Sequence, residues 1–144
     1  MIHKFIYLLG QTFRNPSLRK NYQFLKTTEN WSLEQLEEYQ FKKIREIIKL
    51  AIENSTFYRD KFAKVNTQEI KSLDDLKLIP VLTKEELIEN VNEIHTNIKF
   101  RKQFLATTSG TSGQSLKFYR NEEADSFNRA AIQRGYSWHN VNPW

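Results

Sequence analysis

Apolar residues recur at helical spacing from the first turn of the chain, where Ile2, Phe5, Ile6, Leu9 and Phe13 share one face of a 3.6-residue period. A longer series follows. Leu36, Phe41, Ile44, Ile47, Ile48, Ala51 and Ile52 form a broad stripe, and from Ser32 neither Gly nor Pro interrupts the chain until Pro80. Its start is marked by Ser32-Leu33-Glu34-Gln35, a capping box with Trp31 and Leu36 placed as a hydrophobic staple. These signals predict a long helix over about 33–54, ended by Asn54-Ser55-Thr56. Phe57-Tyr58-Arg59 begins a shorter helix or turn that ends near Val65, and Ser72 starts another that stops before Pro80. Thr83-Lys84-Glu85-Glu86 is a second capping box, with Leu82 and Leu87 as its staple, and its helix is expected to run to about Ile94. The period then changes. Gln103–Thr108 and Leu116–Tyr119 read as two short strands, after which Asn121 caps a helix over about Glu122–Tyr136.

Composition adds exclusions. With no cysteine among 144 residues, disulfide scaffolds, zinc fingers and thiol nucleophiles drop out. No apolar run reaches the length of a membrane span, and 39% hydrophobic content implies a modest core. His3, His95 and His139 lie far apart without ligand spacing, so no metal site is expected. The acidic doublets Asp74-Asp75, Glu85-Glu86 and Glu122-Glu123 each follow a cap (Ser72, Thr83, Asn121) and suit a helix dipole better than acid–base chemistry.

Charge is concentrated at one end. Lys4, Arg14, Arg19, Lys20 and Lys26 lie within residues 1–28, where no acid occurs, and they equal the whole net charge of +5. A basic amphipathic extension on a neutral body fits a helix packed on the rest of the protein, which is the commoner use. It also fits a helix lying on an anionic membrane surface. Nucleic acid is not expected as a partner, because no stacking motif accompanies the charge. A non-enzymatic basic module that binds a membrane surface or a protein is therefore the alternative to an enzyme.

The chemistry points to the glycines. There are only 4, and Gly110 and Gly113 stand together in Thr108-Ser109-Gly110-Thr111-Ser112-Gly113, between the two expected strands. Glycines that let backbone amides turn inward, flanked by hydroxyls, make a cradle for phosphate, and Lys117 adds a positive charge. The spacing is not that of a Walker loop, a dinucleotide fingerprint or a nucleophile elbow.

The run 108–113 resembles the phosphate-binding loop of the adenylate-forming enzymes, the acyl-CoA synthetases and their relatives. Phe57-Tyr58-Arg59-Asp60-Lys61 and Leu73–Glu86, which contains Leu78-Ile79-Pro80-Val81-Leu82-Thr83-Lys84, are similar to segments of the branch that includes phenylacetate–coenzyme A ligases and capsular polysaccharide biosynthesis proteins. Where that family carries Pro and often Lys after the loop, this chain has Ser115 and Leu116.

The resemblance implies an α/β fold: a helix-rich N-terminal portion of the large domain, leading into strand, phosphate loop, strand and helix. It implies a helical segment at 29–100 and the start of a nucleotide-binding sheet at 101–144 with its loop at 107–117, while the basic extension at 1–28 lies outside the resemblance. It also implies a ligase that joins a small-molecule carboxylate to AMP from ATP with Mg²⁺, releasing pyrophosphate, and passes the acyl group to CoA or another acceptor. Thr108, Ser109, Gly110, Thr111, Ser112 and Gly113 are then the ATP-phosphate residues, with Lys117 nearby. The motifs for adenine, ribose and the carboxylate are expected beyond Trp144, so the 144-residue chain is expected to be an incomplete domain that does not adenylate alone. The expected location is cytoplasmic, and peripheral at the membrane if the basic extension at 1–28 lies on its surface.

Overall fold

A computed structural model describes residues 2–109 and 115–142. Among them are six α-helices, α1 (Ile2–Arg14), α2 (Leu18–Thr27), α3 (Leu33–Asn54), α4 (Thr56–Lys61), α5 (Lys84–Glu89) and α6 (Glu122–Trp138). Three 3-10 turns lie at Thr28–Asn30, Thr67–Glu69 and Leu73–Leu78. Strands β1 (Gln103–Thr107) and β2 (Lys117–Asn121) pair into one two-stranded sheet. The short connection between them is compatible only with an antiparallel hairpin. The chain is thus helix-rich with a small sheet, compatible with an α/β class. It divides into two compact units, one of Met1–Trp31, Phe100–Leu105 and Tyr119–Trp144, the other of Ser32–Lys99 and Ala106–Phe118.

In the first unit the basic extension is two helices rather than one. Pro16 cannot donate a backbone hydrogen bond and disfavours helical geometry at Asn15, so the chain turns at Asn15-Pro16-Ser17 and restarts as α2. Leu18, Asn21 and Leu25 recur on one face of α2 and are buried, while α6 presents Ser126 and Ala130, both without solvent exposure. Small residues at i and i+4 let α2 and α6 approach closely. Arg134 then donates to the Leu25 carbonyl (3.4 Å) and the Thr28 hydroxyl (3.1 Å), placing a cation at the C-terminal end of α2. Around Asp125, at the start of α6, buried polar groups satisfy one another. Its carboxylate accepts from Arg129 Nε (2.8 Å) and Asn15 Nδ2 (2.9 Å), and pairs with Arg120 (3.1 Å).

The second unit is built on α3, whose capping box is present: Gln35 N–H donates to Ser32 Oγ, and Ser32 N–H to Gln35 Oε1. Leu36, Phe41, Ile44, Ile48, Ala51 and Ile52 are half-buried, but Ile47 faces solvent. Ser55 ends α3 and caps α4. It is 1% exposed, its hydroxyl donates to the Glu93 carbonyl (2.7 Å), and it accepts from Tyr58 N–H. Arg59 turns back onto the carbonyls of Ile52 and Glu53, which closes the C-terminal end of α3. Phe62 and Ile70 are the buried apolar residues of this unit among those described.

One expected boundary is wrong. The helix started by the Thr83–Glu86 capping box ends at Glu89, not near Ile94. Asn90 leaves helical geometry, and both its N–H (3.1 Å) and its side-chain amide (2.8 Å) donate to the Glu86 carbonyl, so this poor helix former closes the last turn on itself. Turns follow, with Glu93 and Ile94 both donating to the Asn90 carbonyl.

Candidate functional site

The candidate loop leaves β1 and returns through β2. Thr108 N–H donates to the Leu116 carbonyl (3.0 Å), and Leu116 N–H donates to the Thr108 hydroxyl oxygen (2.9 Å). In an ordinary antiparallel pair that second bond would go to the Thr108 carbonyl. The side chain has taken its place, so the mouth of the loop is closed by a residue whose hydroxyl accepts through one lone pair. Its proton remains available to donate outward.

Thr108 and Ser109 are solvent-exposed, as phosphate donors need to be. Gly110, Thr111, Ser112 and Gly113, the other four residues expected to bind phosphate, lie outside the described residues. Lys117 is exposed too, at the first position of β2. Burial alternates along both strands, with Thr107 and Lys117 on the exposed face and Ala106 and Phe118 on the covered one. Side chains alternate along a strand, which puts Lys117 on the opposite face from its neighbour Leu116, the partner of Thr108. The structure therefore brings Thr108 and Ser109 together at the loop mouth but sets the Lys117 side chain on the other face.

The far ends of the strands are anchored in the first unit. Glu122 N–H donates to the Lys102 carbonyl (3.0 Å), and Lys102 Nζ donates to the Phe13 carbonyl (2.7 Å) near the end of α1. The Arg14 guanidinium lies 4.3 Å from the centre of the Phe104 ring, a cation–π contact on β1. β2 passes without a loop into α6, because Asn121 is both its last residue and the helix cap, accepting from Ala124 N–H (2.7 Å).

The acidic doublet at Glu122-Glu123 does more than its spacing predicts. Glu122 accepts from Ser17 N–H (3.0 Å) and Ser17 Oγ (2.8 Å), so one carboxylate serves the N-terminus of α2 while sitting in the first turn of α6. Burial pushes its carboxyl up, but bonds from Ser126 and Ser17 and the charge of Lys102 outweigh burial and hold it below the usual range. Asp125 behaves likewise: burial raises it, while Arg129, Asn15 and Arg120 lower it further than burial lifts it. Both groups are ionised at neutral pH and saturated with donors, which is the state of structural anions rather than of acids or bases. Periodicity missed this network. Its one sequence signal is the Asp125–Arg129 spacing of four along α6.

Elsewhere, the two segments carrying the family resemblance lie within the second unit and touch through an ion pair between Lys61 and Glu86. Tyr58 packs edge-on to Phe57 and against Phe62, and burial pushes its hydroxyl up. Asp75 and Glu86 act in capping boxes, as their spacing predicts. Asp75 is held low by the Lys71 and Ser72 amides and the Ser72 hydroxyl; Glu86 is held low first by Lys61 and then by the Thr83 amide.

The donor set at the loop mouth suits an anion. No residue from Thr108 to Lys117 is acidic, so a phosphate there would meet hydroxyls and amides without like-charge repulsion, and Mg²⁺ would arrive on the phosphates themselves. Among the described residues no cluster of His, Asp and Glu can hold a metal ion, and no helix is long and apolar enough to cross a membrane. Compared with protein-family models and with curated proteins, the chain matches none.

Proposed function

We propose that residues 108–113 bind the phosphates of ATP in an ATP-dependent, carboxylate-adenylating ligase. The observation that carries the reading is the loop mouth. Thr108 is pinned to Leu116 through both backbone and side chain, and Thr108 and Ser109 are both exposed to solvent. Donors fixed in advance by a hairpin cost little to order when an anion arrives, and they stabilise charge that grows on leaving pyrophosphate. The resemblance supplies the rest: the carboxylate attacks the α-phosphate, an acyl-adenylate forms, and pyrophosphate departs toward the loop.

The chain's own part is to hold the β- and γ-phosphates. Thr108 and Ser109 donate at the entrance, and the cradle continues through Gly110, Thr111, Ser112 and Gly113. Lys117, on the other face of β2, adds to the local potential without contacting the Thr108 side. Equilibrium dialysis of the 144-residue chain against Mg·ATP and against adenosine tests the claim. ATP is expected to bind at roughly millimolar strength, about −4 kcal/mol. Adenosine is expected not to bind, and Gly110→Ala, which adds a Cβ where phosphate must approach, is expected to remove ATP binding. Equal retention of ATP and adenosine, or equal binding by Gly110→Ala, would refute it.

A further inference from the structure

The first helix is docked by its polar edge. Gln133 of α6 donates to the Tyr7 hydroxyl (3.3 Å) and to Gln11 Oε1 (3.2 Å), and Gln11 itself bonds Tyr7. At 3.6 residues per turn, the stripe of Ile2, Phe5, Ile6, Leu9 and Phe13 lies roughly 180° around the helix from Tyr7 and Gln11. All five are exposed, Phe5 at 66% and Phe13 at 75%, and α1 buries no residue at all. A helix held to its own unit by Tyr7 and Gln11, and at its end by Lys102 on the Phe13 carbonyl and Arg14 on the Phe104 ring, with its large apolar residues turned outward, is arranged to meet something apolar outside the chain.

Two observations choose among occupants. The stripe belongs to a helix only 13 residues long, about 20 Å by 10 Å, so one face offers a few hundred Å². That is far below the roughly 800 Å² per partner of a stable dimer. Charge gives the direction. Lys4, Arg14, Arg19 and Lys20 are exposed, and the stretch up to Lys26 contains no acid. Of the nearby carboxylates, Glu29 is engaged by Lys26 and Trp138, Glu122 by Ser17 and Asp125 by Arg129, while Glu123 is exposed and outnumbered by the basic residues around it. Lys4 and Arg14 sit toward the docked side of α1, about one helix diameter from the stripe's surface. This is ~10 Å, close to the Debye length at 0.1 M salt. We propose that α1 is an interfacial anchor that lays Ile2, Phe5, Ile6, Leu9 and Phe13 into the surface of an anionic bilayer, drawn there by the acid-free basic segment of α1 and α2.

The full chain is tested by co-sedimentation with vesicles of equal parts phosphatidylglycerol and phosphatidylcholine, and with vesicles of phosphatidylcholine alone. Wild-type protein is expected to bind the anionic vesicles about tenfold or more tightly than the neutral ones. The double variant Phe5→Glu/Phe13→Glu is expected to lose binding by at least about tenfold, with circular dichroism and unfolding unchanged because both side chains are exposed. Moderate salt should weaken the wild-type interaction only in part, since the apolar contact is unscreened. Failure of the wild-type chain to bind anionic vesicles, or undiminished binding by the double variant, overturns the proposal. So does a concentration-dependent dimer in sedimentation velocity that the double variant dissolves, if vesicle binding is absent; the face would then join two copies.

Discussion

Replacing Asp125 by alanine removes the acceptor on which the start of α6 is organised. The carboxylate is 1% exposed and takes bonds from Arg129 Nε at 2.8 Å, Asn15 Nδ2 at 2.9 Å and Arg120 at 3.1 Å. The side-chain amide of Asn15, a residue 2% exposed, would keep only its 3.1 Å bond to Ser126. Breaking a fully buried ion pair costs about 3–5 kcal/mol, because the remaining charge is stranded. Here the stranded partners are not fully buried. The Arg120 and Arg129 side chains are 36% and 41% exposed and can turn to water, so the expected loss falls to about 2–3 kcal/mol. Urea unfolding followed by tryptophan fluorescence reports on this unit, since Trp31 and Trp138 both belong to it. With a slope of about 1–3 kcal/mol per molar, the midpoint should fall by roughly 1–2 M with the slope unchanged. Asp125→Asn retains one acceptor oxygen and should lie between. A midpoint for Asp125→Ala within about 0.3 M of wild type would show that this network does not hold α2 to α6.

Other consequences are directly measurable. Because Glu122 and Asp125 titrate lower in the folded chain than unfolded carboxylates, their stabilisation is present above the unfolded value, near pH 4, and is lost as pH falls through the lower folded values. Acid titration should therefore unfold the first unit below about pH 4, with a shallower stability–pH slope in Asp125→Asn; equal slopes would contradict the assignment. Ser32→Ala should cost about 1 kcal/mol of stability in the second unit and fray the first turn of α3, read by amide exchange at Gln35 and Leu36. Asn90→Ala replaces a poor helix former, whose side chain folds back onto the Glu86 carbonyl, by the best one and should extend α5 past Glu89, visible as helical carbon shifts at Val91 and Asn92. Unchanged shifts there would mean that backbone preference, not the Asn90 side chain, ends α5.

Where a helix begins was readable from local chemistry, because a cap and its partner lie three residues apart. Ser32 with Gln35, Thr83 with Glu86, and Asn121 with Ala124 each predict a start that the structure has. Ends were less readable. At Asn90 the helix stops at a polar residue whose side chain folds back onto the Glu86 carbonyl, which leaves no mark in the apolar period. The two strands were visible as short β-branched and aromatic runs, although β2 is set slightly later than expected, at Lys117–Asn121. What the pattern could not show was contact between distant positions. Asn15 meets Asp125 across 110 residues, and Glu122 caps a helix that begins more than a hundred residues earlier. The apolar face of α1 was legible in sequence, but its outward direction was not, because that depends on Gln133 holding the opposite edge. At the candidate site, residue types pointed to phosphate, whereas the use of the Thr108 hydroxyl in place of its carbonyl is a property of hairpin register alone.

The central claim is that phosphate enters the loop between β1 and β2. Backbone amide spectra of ¹⁵N-labelled protein, recorded while Mg·ATP and then Mg·pyrophosphate are added, test it residue by residue. Both ligands are expected to shift the amides of Thr108, Ser109, Gly110 and Gly113, and adenosine to leave them in place. Shifts confined to other parts of the chain, or none at millimolar pyrophosphate, would contradict it.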